Sequence, residues 1–216
     1  MVAMLGASSA SATTINYTGE SVSYGDTVQI SSPNNISGVA GQITLTGVTG
    51  LGASTTSLLA WCLDVYDYLL NKGSFTGAGP LANESNLIGG LMQEGNSDIT
   101  AAKTHGNSLS LGGHTYSLND ISAATQIAIW SVEYSGFTYK INGSNPTSSF
   151  TSLVSYLENN ATPNVAYWTL NERGNQTLGT LSPVPGPIVG AGLPGLVTAG
   201  IGLLGWWRRK RNAVVA

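Results

Sequence analysis

The residues that most constrain this chain lie near its C-terminus. Positions 188–207 carry no charged side chain, and Arg208, Arg209, Lys210 and Arg211 follow at once. The uncharged run has roughly the 20 residues that an α-helix needs to cross the hydrocarbon core of a bilayer. Trp206 and Trp207 stand at its end, where indole rings favour the membrane–water interface, and a basic cluster in that position stays cytoplasmic. The competing reading is a helix buried in a soluble core. Several glycines and Pro194 would make that a poor helix, and it leaves the abutting cations without a role. The expectation is a transmembrane helix over 188–207, a basic cytoplasmic tail over 208–216, and everything before Ile188 outside.

An exported body agrees with the composition. Only 9% of the 216 residues are charged, against roughly 25% in ordinary soluble proteins. A net charge of −3 and a pI near 5.2 supply no broad positive field for nucleic acid, so no nucleic-acid partner is expected. The single cysteine, Cys62, excludes an intrachain disulfide framework and a Cys-rich zinc site. Residues 1–12 are small and apolar and close on Ala10-Ser11-Ala12, an A-x-A cleavage pattern. They read as a truncated signal peptide lacking its basic n-region, with a flexible terminus as the alternative.

The tail resembles a known sorting signal. Val184-Pro185-Gly186-Pro187, a Gly-rich apolar span and then Trp206-Trp207-Arg208-Arg209 look like the PEP-CTERM tails of exopolysaccharide-producing Gram-negative bacteria. That resemblance implies an exosortase-like processing enzyme as partner, with Pro185, Gly186 and Pro187 as the recognition segment. Gly186 stands where the pattern usually has Glu. Residues 183–187 then serve as both sorting motif and stiff linker.

The body, residues 13–182, reads as one α+β domain. Thr14-Ile15-Asn16-Tyr17, Ser21-Val22-Ser23-Tyr24, Thr27-Val28-Gln29-Ile30 and Gly41-Gln42-Ile43-Thr44-Leu45 have strand character, broken by Gly-Asp, Pro-Asn and Val-Thr-Gly segments. Strand character returns over 165–181, with a turn at Arg173-Gly174-Asn175. Residues 57–70 are densely apolar, and period alone does not separate strand from helix there. A short helix is expected over 84–92, and a loop or hairpin over the polar, Gly-rich 95–113. Asn119-Asp120 is a candidate cap for a helix through Ile121, Ala124, Ala128, Ile129 and Val132, ending before Gly136. Phe150, Leu153, Val154 and Leu157 form the stripe of a one-sided helix. The expected architecture is a β-rich sandwich or barrel-like domain with a helical insertion.

Catalytic machinery is hard to assemble from these residues. His105 and His114 lie in the polar stretch without ordered acid partners, and no Gly-x-Ser-x-Gly turn, P-loop or dinucleotide fingerprint occurs. Asp64 and Asp67 lack a surrounding calcium loop and read as a locally hydrogen-bonded pair. The expectation is a protein that is not an enzyme and needs no metal or cofactor. The unusual constellation is Cys62, in Leu59-Ala60-Trp61-Cys62-Leu63-Asp64, together with Gln126, in an almost wholly apolar helix. A buried carboxamide costs a few kcal/mol unless paired. Two readings follow. Gln126 bonds backbone across the core while Cys62 packs as a small hydrophobe. Alternatively, the thiolate attacks the carboxamide and expels ammonia to leave a thioester, a reaction that needs the two groups held together.

Trp61-Cys62-Leu63-Asp64 and Thr125-Gln126-Ile127-Ala128-Ile129-Trp130 resemble the two motifs of thioester domains in bacterial surface adhesins. That resemblance implies a β-rich scaffold with a helical subdomain, and a Cys62–Gln126 cross-link flanked by Trp61, Asp64, Thr125 and Trp130. It also implies acylation of an amine on a partner surface, protein or polysaccharide. The expected role is an exported structural or adhesive protein of the cell surface or exopolysaccharide matrix. A non-covalent glycan- or protein-binding module is the alternative, and a secreted hydrolase a third.

Overall fold

The computed structural model describes residues 13–51, 56–81 and 87–181. The 1–12 stretch, Pro185, Gly186, Pro187, the 188–207 span, Trp206, Trp207, Arg208, Arg209, Lys210 and Arg211 lie outside the described residues. Among the described residues no helix is long and apolar enough to cross a membrane.

The described residues open with a long strand bent at one residue. β1 (Thr13–Tyr17) and β2 (Gly19–Ser32) are separated only by Thr18. The break expected at Gly25-Asp26 is absent, and β2 runs straight through it, paired antiparallel with β3 (Ile36–Thr46). Gly25 and Gly41 face each other in this ladder. A Cβ on Gly25 would collide with the Ala40 carbonyl, and one on Gly41 with the Tyr24 carbonyl. These glycines permit close strand approach rather than a turn.

Next come β4 (Ser57–Cys62), which resolves the 57–70 ambiguity as a strand followed by a loop, and β5 (Gly73–Leu81). The helical insertion follows: α1 (Ile88–Thr104), the hairpin β6 (Ser108–Leu111) and β7 (His114–Ser117), α2 (Leu118–Glu133), the strand β8 (Thr138–Ile141) and α3 (Ser148–Asn160). β9 (Tyr167–Asn171) and β10 (Leu178–Thr180) complete the body, joined across the expected 173–175 turn. Eight strands form one sheet in the order β1-β5-β9-β10-β4-β3-β2-β8, with each neighbouring pair antiparallel. The β1 edge is tied back to the chain leaving β3. Asn16 and Thr49 exchange backbone hydrogen bonds of 3.1 and 2.9 Å, and Thr18 N donates to Thr46 O at 3.0 Å. Because β1 and β2 are halves of one bent strand, these bonds return the sheet onto itself. The body is α+β and strand-rich, as its sequence implied.

Two helices differ from expectation. α1 begins later than residue 84 and continues through Gly95 to Thr104, ten residues into the expected loop. Its glycines are contact points. A Cβ on Gly89 or Gly90 would strike the carbonyls of Val165 or Thr162, and one on Gly95 would lie 2.7 Å from Thr125 Oγ1 of α2. Close packing here outweighs the low helix propensity of glycine. α2 is capped by Ser117 rather than Asn119: Asp120 N donates to Ser117 Oγ at 3.2 Å and Ser117 N to Asp120 Oδ2 at 3.0 Å, a reciprocal capping box. In α3 the stripe of Phe150, Leu153, Val154 and Leu157 is buried as expected.

Candidate functional site at Cys62

α2 runs through the interior, and every side chain from 121 to 130 is buried. It packs on β2, β3, α1 and α3, so neither the apolar nor the polar members of this stretch meet solvent. Gln126 is therefore 0% exposed and needs partners. It finds them on β4. Gln126 Oε1 accepts from Cys62 N at 2.9 Å, and Gln126 Nε2 donates to Cys62 O at 2.8 Å.

The local reason lies in the ladder. β4 pairs with β3 only as far as Ala60, opposite Ile43, while its last residues turn to β10. Leu63 N donates to Thr177 O on the β10 side at 2.9 Å. Alternation along a strand then directs the Cys62 N–H and C=O to the opposite edge, where β3 has already departed. The Gln126 carboxamide, one acceptor and one donor side by side, takes the place of the missing strand residue. Sequence position alone brings Gln126 nowhere near this edge.

The thiol faces a second carboxamide. Cys62 Sγ donates to Gln176 Oε1 at 2.9 Å. Gln176 is held on all sides: its Nε2 donates to Asp64 O at 2.9 Å, and its N to Asn175 Oδ1 at 2.9 Å. Asn175, 2% exposed, donates in turn to Tyr17 Oη at 3.0 Å and Glu172 Oε2 at 2.7 Å, and accepts from Leu70 N at 3.0 Å. Burial pushes the Cys62 thiol well above its ordinary pKa, and the charges of Asp64 and Glu20 push it further, so the group is a neutral thiol at neutral pH.

A cavity of about 200 Å³ adjoins the thiol, lined by Cys62 and Gln176 together with apolar residues of β2 and β3 and the carboxylates Glu20 and Asp67. Trp130 lines it too, and its Nε1 is buried without a hydrogen-bond partner among the described residues. The remaining members of the two motifs have distinct places. Trp61, 1% exposed, turns to α1 and donates from Nε1 to Asn96 Oδ1 at 3.2 Å. Thr125 donates back to Ile121 O at 2.8 Å and fills the space opposite Gly95. Asp64 accepts from Tyr66 N at 3.1 Å and Asp67 N at 3.2 Å, the local bonding expected of it, and its Oδ2 also accepts from Thr177 N.

Gln176 and Asn175 were invisible in the sequence as site residues. They sit in Gly174-Asn175-Gln176-Thr177, which reads only as the end of a turn. His105 caps α1, with Nδ1 2.8 Å from Ala101 O, and His114 is exposed at the start of β7. Among the described residues no group of three or more His, Cys, Asp or Glu could hold a metal ion. Comparison with known proteins returns nothing: no family model matches the chain, and no curated protein and no solved structure is significantly similar to it.

Proposed function

We propose that this is an exported structural or adhesive protein of the cell surface or exopolysaccharide matrix, whose body forms a thioester between Cys62 and Gln126 and so attaches covalently to an amine. The observation that carries the reading is the two-bond contact between the Gln126 carboxamide and the Cys62 peptide, at 2.9 and 2.8 Å. It fixes the Gln126 carboxamide, in a buried setting, on the backbone of the residue that carries the thiol, and such confinement lowers the entropic cost of bringing the two groups together. It also suits the chemistry. As Sγ bonds to the Gln126 side-chain carbonyl carbon, negative charge develops on Oε1, which already accepts from the Cys62 N–H. The C–N bond then breaks, and the thiol proton leaves with nitrogen as ammonia.

The role is single-use attachment rather than turnover, with a surface protein amine or a polysaccharide amine as partner. The tail supports delivery: an apolar span at 188–207 bordered by four cations suits a membrane helix, with the Pro185-Gly186-Pro187 segment offered to an exosortase-like enzyme. A second reading, a non-covalent glycan- or protein-binding module, is favoured by one feature. The Gln126 bonds satisfy the core without any reaction.

Intact mass separates the two. The linked chain is one ammonia lighter than the unlinked chain, and Cys62 resists alkylation even after unfolding without nucleophiles. Methylamine adds its own mass at Gln126 and frees the thiol, and Cys62→Ala abolishes both signals. Full mass with a readily alkylated Cys62 refutes the thioester and leaves the binding module.

A further inference from the structure

We infer that forming the thioester turns this pocket into a recognition site for a primary amine, read by two acceptors, the Cys62 carbonyl oxygen and Gln176 Oε1. The inference rests on the thioester reading above and assigns the amine-selecting residue within it. In the unlinked protein each acceptor is filled, Cys62 O by the Gln126 Nε2 donor at 2.8 Å and Gln176 Oε1 by the Cys62 thiol at 2.9 Å. Loss of ammonia removes both donors at once, because the nitrogen departs and the sulfur gives up its hydrogen.

The acceptors themselves stay put. Cys62 belongs to the β4–β10 ladder, and Gln176 remains fixed by Asp64 O and Asn175 Oδ1. Cys62 is buried and Gln176 half-buried, and acceptors left empty in such a setting are costly, so the linked protein presents a matched demand for two donors. A primary amine brings two N–H groups and one lone pair. Attack on the Gln126 carbonyl carbon brings its nitrogen to the place Nε2 held, with one N–H toward Cys62 O, and the other is offered to Gln176 Oε1, the acceptor 2.9 Å from the sulfur being displaced. As the new C–N bond forms and the C–S bond breaks, the second proton passes to sulfur and the thiol donates to Gln176 again. A secondary amine or an alcohol has one donor and fills only one acceptor.

The cavity supplies the approach, since Cys62 and Gln176 both line it. Val28, Ile30 and Ile43 offer a carbon stem an apolar wall, while Glu20 and Asp67 favour a cationic visitor.

The test compares two isomeric nucleophiles, ethylamine and dimethylamine, on the full-length linked protein, with adducts followed by intact mass. A small thioester of N-acetylcysteine in the same buffer gives the intrinsic rate ratio. Wild type should favour ethylamine over that reference by about tenfold, the rate equivalent of one hydrogen bond. Gln176→Met should return the ratio to the reference value, whereas a purely structural loss would slow both amines equally. A wild-type ratio equal to the reference, or a Met variant that links and keeps the wild-type ratio, overturns the inference while the thioester stands. If the Met variant never links, the wild-type comparison decides alone. A wild type with no linked species overturns both readings, and its full mass identifies that outcome.

Discussion

The Gln126 clamp makes a quantitative claim about stability that is independent of any covalent bond. In a Cys62→Ala background no cross-link forms, and Ala keeps the backbone groups that Gln126 binds. Adding Gln126→Met there preserves most of the side-chain volume but removes both hydrogen bonds. The Cys62 N–H and C=O, bonded at 2.9 and 2.8 Å, are then stranded on the edge of β4 that β3 leaves after Ala60. Each buried orphan costs about 1–3 kcal/mol, so the pair should cost about 2–6 kcal/mol. That is a large share of the roughly 5–15 kcal/mol that stabilises a typical domain. Urea melts of the single and double variants measure it, with an unchanged denaturant slope showing that the unfolded state is comparable. A loss below about 1 kcal/mol would mean that water or a shifted backbone satisfies these groups, and the strand-substitute argument would be refuted.

Three further outcomes are expected. Gly95→Ala should cost about 1–3 kcal/mol, because its Cβ would lie 2.7 Å from Thr125 Oγ1 inside the α1–α2 contact. Combining it with Thr125→Ala should recover part of that loss, and a harmless single variant would refute the close-contact reading. Asp98 Oδ2 is buried without a hydrogen-bond partner among the described residues, and burial, then Glu94, raises this carboxyl to about 6. The folded state therefore holds the proton more tightly than the unfolded chain. Its stabilising contribution is full below the ordinary carboxylate range and is lost as pH rises through about 6. Asp98→Asn should flatten that window in melts across the range and, allowing for solvent screening, add about 1 kcal/mol at neutral pH; a less stable variant would contradict it. Removing residues 188–211 should release the protein from membranes on fractionation, and continued membrane association would refute the sorting-tail reading.

The sequence by itself determined those elements whose signal is local. The α3 stripe, the turn at Arg173-Gly174-Asn175 and the strand–helix–strand order all follow from spacing and turn chemistry, which act between residues close in the chain. So does the burial of Gln126, because the residues flanking it in the helix are nearly all apolar. Glycine misleads for the same reason. Gly25 and Gly95 look like breaks to any local rule, yet each marks a place where a partner remote in sequence comes too near for a Cβ. α1 accordingly runs on past Gly95, and β2 past Gly25. What the tertiary structure alone decided is the meaning of the Cys62 neighbourhood. The motif resemblance named Cys62 and Gln126, but only the register of β3 against β4 explains why a carboxamide belongs there. Two peptide groups are left without a strand at that edge, and α2 crosses it. Gln176 enters from more than a hundred residues away on the β9–β10 turn, brought to the sulfur by a ladder between β4 and β10. Hydrogen-bond satisfaction in a closed interior is a property of the assembled sheet, so no reading of the turn by itself could have found that residue.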